Sequence, residues 1–139
     1  MKRHEDAKRK IVAEWLDKAC ADMDLARHLL AENAAFPNAI GFHSQQAVEK
    51  YLKAFLTWHQ VPFPKTHDLD ELLDIIAGIN KSLAASLRNA IILTPYGVEV
   101  RYPGGASDIT PKDAAEAVKL GLKVSEAIQS RLKGMKRTD

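Results

Sequence analysis

A single cysteine, Cys20, stands among 139 residues. No internal disulfide and no multi-cysteine zinc site can therefore be built. Long apolar runs are missing as well. No segment approaches the ~20 residues that cross a bilayer. The opening MKRHEDAKRK has no apolar stretch behind it of the kind a signal peptide needs. These absences read as a cytoplasmic protein with no membrane partner. Charge of one sign is also not in excess: 20 basic against 18 acidic residues leave a net +2. That balance argues against a surface built for specific DNA binding, although a local basic patch is compatible with it. Glycine-rich phosphate loops of the P-loop or dinucleotide type are absent, and so is a serine nucleophile motif. His43, His67 and Asp68 lack the spacing of a known metal site. No cofactor and no metal are expected.

What is present is helical periodicity in a chain long enough for one core, with 46% hydrophobic residues. Ile11, Val12, Trp15, Leu16, Ala19, Met23, Ala26 and Leu30 recur every three or four positions, which predicts a helix over about 8–32. Pro37 ends the linker and suits the first turn of a second helix, about 37–60, closed by VPFPK. A short helix over 68–78 follows, with Asp68 and Glu71 spaced like a capping pair and Gly78 at its end. A fourth covers 81–93. A loop of about fifteen residues rich in proline and glycine then leads to Thr110-Pro111-Lys112-Asp113, a helix start with cap, proline and first-turn acid. YGVEVRYP alternates briefly but has no partner strand. The expected fold is all-α: an up-and-down bundle of four to five helices over residues 8–133, with one long loop before the last helix. Residues 1–7 and 134–139 are expected to fray.

Three features bear on function. In HSQQAVEKYLK (43–53), His43, Gln46, Lys50 and Lys53 form a polar stripe bordering the apolar face of Ala47, Tyr51 and Ala54, with Gln45 and Glu49 nearby. Such a border lines a cleft or meets another subunit; alternatively, lysine stems cover the core edge and send their charges to water. In FPKTHDLDELL, His67 sits at a helix start, where amides and the dipole favour anions; the plainer reading is a cap with a hydrogen-bonded loop histidine. In VRYPGG, Arg101 offers a fork for phosphate and Tyr102 a ring for stacking, against the alternative of an arginine paired to a carboxylate.

Taken together, DMDLARHLLAEN, PNAIGFHSQQAVEKYLKAFL, KTHDL and RYP resemble the HEPN family (higher eukaryotes and prokaryotes nucleotide-binding), from about Ile11 to Leu132. The resemblance implies a helical bundle that forms homodimers. It also implies a partner, since many prokaryotic members are encoded beside a minimal nucleotidyltransferase. In several such pairs the HEPN protein is a toxin RNase and the transferase its antitoxin; others bind nucleotide or present substrate. The matching positions are Gln46, Glu49, Lys50 and Lys53, then Lys65, His67 and Asp68, then Arg101, Tyr102 and Pro103.

RNase members of that family carry an arginine followed after four to six residues by a histidine. Here the histidines are 4, 28, 43, 59 and 67, and none follows an arginine at that spacing. The expectation is therefore a homodimeric module binding nucleotide or RNA phosphate through Gln46, Lys50, Lys53, His67, Arg101 and Tyr102, working with a nucleotidyltransferase, and not itself an enzyme. Two alternatives stand beside it: a degenerate metal-independent RNase using His67 or His43 with Arg101, and a purely structural protein-interaction module.

Overall fold

A computed structural model describes residues 2–32, 36–97 and 108–132. Its elements are α1 (Lys2–Ala31), α2 (Pro37–Trp58), α3 (Leu69–Ala77), α4 (Lys81–Leu87), a 3₁₀ segment (Arg88–Gly97) and α5 (Pro111–Arg131). The fold is an all-α bundle, with no strand among the described residues. No helix in them is long and apolar enough to cross a membrane.

The bundle is built around α2. This helix packs against α1, α5, α3 and the 3₁₀ segment, and its buried residues include Ile40, Ala47, Val48, Tyr51, Leu52, Ala54, Phe55 and Leu56. Val12, Leu16, Ala19 and Met23 from α1 and Ala117, Val124 and Ile128 from α5 join them in one core. Gly121 lets α5 approach closely, because a Cβ there would lie 2.8 Å from Met23 Sδ.

Helix ends follow local chemistry. Thr110 Oγ1 accepts from the amide of Asp113, and Asp113 Oδ2 accepts from the amide of Thr110, the reciprocal cap expected at α5. At α3, Asp68 accepts from the Asp70 amide instead of sharing a box with Glu71, which takes the Thr66 hydroxyl. Termination of α2 comes earlier than VPFPK. Gln60 adopts φ 56°, and the amides of Gln60 and Val61 return to Thr57 and Leu56.

The predicted fourth helix is corrected in part. Its α-helical portion stops at Leu87 and the chain continues as a 3₁₀ segment containing Pro95. Proline supplies no amide and would clash with the carbonyl four residues back in an α-helix. At this change of winding Arg88 donates to Asp70 and Asp74 of α3 at 2.8 and 2.9 Å. At the other end α1 begins at Lys2, ahead of the expected start. Most of the expected loop, including Arg101, Tyr102 and Pro103, lies outside the described residues, as do residues 134–139.

Candidate functional site

The polar stripe of α2 resolves into two clusters centred on carboxylates. In the first, Asp22 of α1 accepts from Lys50 Nζ through Oδ2 and from His43 Nδ1 at 2.9 Å through Oδ1. His43 and Lys50 are seven residues apart, two turns along one face, so a single acid on the neighbouring helix reaches both. All three side chains are partly buried.

The second cluster lies deeper. Glu49 is buried and takes Lys53 Nζ at 2.9 Å on Oε2. Its Oε1 takes His67 Nδ1 at 2.9 Å and Gln45 Nε2 at 3.1 Å. Burial pushes the Glu49 carboxyl up, but hydrogen bonds from Lys53, His67 and Gln45, with the charge of Lys53, outweigh it and hold the group below the ordinary 4.5. An ionised carboxylate only accepts, so His67 Nδ1 carries the proton. Nε2 is then the nitrogen turned from Glu49, on a side chain that is 59% exposed.

Lys53 sits in an aromatic corner. Its Nζ is 5.7 Å from the Trp15 ring centre and 5.9 Å from that of Phe63, and the two rings meet edge to face at 6.5 Å. Its side chain is 9% exposed. Lys53 is thus an internal cation that anchors Glu49, and Lys50 is engaged with Asp22. Of the stripe, Gln46 stays at the partly open edge and donates to Gln45 Oε1 at 2.7 Å.

His67 is positioned from three directions. Gln45 Nε2 donates to its carbonyl at 3.3 Å. The next residue, Asp68, caps α3. Leu69 donates its amide to Thr94 Oγ1 in the 3₁₀ segment at 3.2 Å. That segment ends against the same cluster, since a Cβ on Gly97 would fall 2.1 Å from Gln45 Oε1. Where the described chain resumes, the Ile109 amide donates to Asn38 Oδ1 at 3.0 Å. Gly97 and Ile109, which flank Arg101 and Tyr102 in sequence, thus both lie along the first half of α2.

The structure brings together Gln46, Glu49, Lys53 and His67, and sets Lys50 with His43 on the α1 side. Lys65 is exposed and has no place in either cluster. Sequence reasoning missed Asp22 and Gln45 as the residues that hold the stripe, and Trp15 and Phe63 as the lining of Lys53. Asp22 gave no signal, because pairing it with α2 requires the register of α1 against α2. Among the described residues, no group of three or more histidine, cysteine or acidic side chains is arranged to hold a metal ion.

Comparison with known proteins agrees with this architecture. Neither the curated proteins nor the solved structures contain a significant match. A family model for the HEPN domain matches residues 12–131, from the core face of α1 to the last residue of α5. The match supports a role related to nucleotides or RNA in general. It spans most of the chain, and on that evidence the chain belongs to the HEPN domain family.

Proposed function

We propose that this HEPN protein is a nucleotide- or phosphate-binding module that acts as a homodimer with a minimal nucleotidyltransferase, in a toxin–antitoxin or substrate-presenting role. The observation that carries the binding reading is the exposed His67 held through Nδ1 by the buried Glu49. When the ring is protonated, Nε2–H is a fixed donor for a phosphate oxygen. Lys53 acts from behind, by keeping Glu49 ionised. Gln46 borders the same edge, and Arg101 and Tyr102 follow in sequence from Gly97, which packs on Gln45. The homodimer is supported by Phe42 and Ile92, which stay exposed at 39% and 52%.

The same pair favours one second reading. A carboxylate behind a histidine fixes the tautomer with its lone pair on Nε2, as a general base requires. A degenerate RNase would use His67 in that way, without the arginine-to-histidine spacing of the usual active members. Calorimetric titration with ATP and with a short RNA, followed by inspection of the RNA, tests both. Saturable ATP binding lost in Arg101→Ala and His67→Ala, with RNA intact, is the expected result. Cleavage lost in the same variants establishes the RNase. Neither heat nor cleavage leaves the protein-interaction module.

A further inference from the structure

The ends of this chain are basic and its middle is not. Residues 1–10 contain five basic and two acidic residues, residues 131–139 four basic and one acidic, and the stretch between them eleven basic and fifteen acidic. Among the described residues, the first turns of α1 and the last residue of α5 lie at one pole. The first turns of α1 reach the C-terminal end of α2, where Lys8 Nζ lies 4.2 Å and the Arg9 guanidinium 5.3 Å from the centre of the Trp58 ring. Glu5 offsets part of this charge, at 3.4 Å from Lys8. Arg131, the last residue of α5, lines an open cavity of about 290 Å³ with Phe55, His59, Ile79 and Asn80. His59 faces Phe55 with ring centres 4.5 Å apart. Burial, and then the charge of Lys8, hold its imidazole below the ordinary 6.5, so at neutral pH it presents an uncharged ring.

We infer that this pole is a docking surface for single-stranded nucleic acid, with backbone phosphates meeting Lys8, Arg9 and Arg131 and a base lodging beside His59. Cations interleaved with ring faces are what a strand of phosphates and bases uses together. An acidic protein surface would engage the cations and leave the partly open Trp58 ring and the exposed His59 ring without a role. The cavity is close to the size of small-ligand pockets. The surface is separate from the His67 edge: ten residues of α2 between Glu49 and His59 put them roughly 15 Å apart along the helix axis. It therefore stands or falls independently of the function proposed above.

The test is fluorescence anisotropy with a fluorescein-labelled oligouridylate of about 20 nucleotides, titrated between about 50 and 200 mM salt. The double variant Lys8→Glu/Arg131→Glu should bind about tenfold more weakly or worse. Its log K against log salt slope should be shallower by roughly 1.4, two contacts at about 0.7 each. Lys112→Glu, an exposed charge in the first turn of α5 at the opposite end from Arg131, should leave the slope unchanged. Circular dichroism checks the fold of each variant, and Lys8→Gln/Arg131→Gln should give a smaller change in the same direction. Unchanged affinity and slope in the double variants would overturn the inference, as would an absence of binding at the lowest salt. Displacement by polyaspartate as effective per charge as by unlabelled oligouridylate would overturn it too, in favour of an acidic protein partner.

Discussion

The two oxygens of Glu49 divide their partners: Oε1 lies 2.9 Å from His67 Nδ1, and Oε2 lies 2.9 Å from Lys53 Nζ. One buried carboxylate thus ties an internal lysine to an exposed histidine. Removing it leaves Lys53 buried without its counter-ion. Glu49→Ala should cost about 3 kcal/mol or more in urea unfolding. The double variant Glu49→Gln/Lys53→Met, which removes both charges at similar volume, should recover most of that loss. If the double variant is as unstable as the single, Lys53 is not held by the pairing described.

The same carboxylate sets an acid limit. Because its folded-state value lies below the ordinary 4.5, Glu49 stabilises the fold fully above that value. Its contribution fades as pH falls below 4.5 toward and through the lower folded-state value, since the unfolded chain then binds the proton more readily. Unfolding free energy measured across that range should fall less steeply with acid in Glu49→Gln than in the wild type. Parallel slopes would show that other carboxylates dominate.

Ser44 is fully buried, and its Oγ is the buried side-chain polar atom without a hydrogen-bond partner among the described residues. Replacing it with alanine removes a desolvated hydroxyl and breaks no hydrogen bond. Ser44→Ala should be neutral or stabilising by up to about 1 kcal/mol in chemical denaturation. A loss larger than that would reveal a partner for the hydroxyl.

Gln60 ends α2 at φ 56°. A side chain in this left-handed conformation costs roughly 1–2 kcal/mol that glycine avoids. Gln60→Gly should raise the unfolding midpoint by the equivalent of about 0.5–1 kcal/mol, the greater freedom of glycine in the unfolded chain offsetting part of the gain. A lower midpoint would mean that the glutamine side chain contributes a contact worth more than the strain.

How far the sequence could be read depended on the range of the interaction. The cap at Thr110 and Asp113 is local, three residues apart, and was legible with its partners. The spacing of Val12, Leu16, Ala19 and Met23 gave the buried face of α1, since periodicity reports burial directly. Gln60 is not legible, because nothing in its type asks for a left-handed conformation, and the prolines that follow are the stronger stop signal. The 3₁₀ segment reads in the sequence as α-helix through Leu93, since the two windings share the same apolar residues over so short a stretch. At the site, the polar stripe of α2 was visible but its direction was not. Lys50 and Lys53 look like ligand-facing cations until Asp22 and Glu49 are set beside them, and that requires the packing of α1 and the side-chain arrangement along α2.

Whether His67 is the group that meets the ligand is read from the long-range ¹H–¹⁵N spectrum of the histidine rings, recorded as ATP is added. Neutral His67 should carry its proton on Nδ1 in the free protein, and its Nε2 resonance should move saturably with ATP. That shift should disappear when Glu49→Gln removes the ionised carboxylate behind the ring. A His67 resonance that stays fixed while ATP saturates the protein elsewhere, or while no binding occurs at all, would contradict that role for His67.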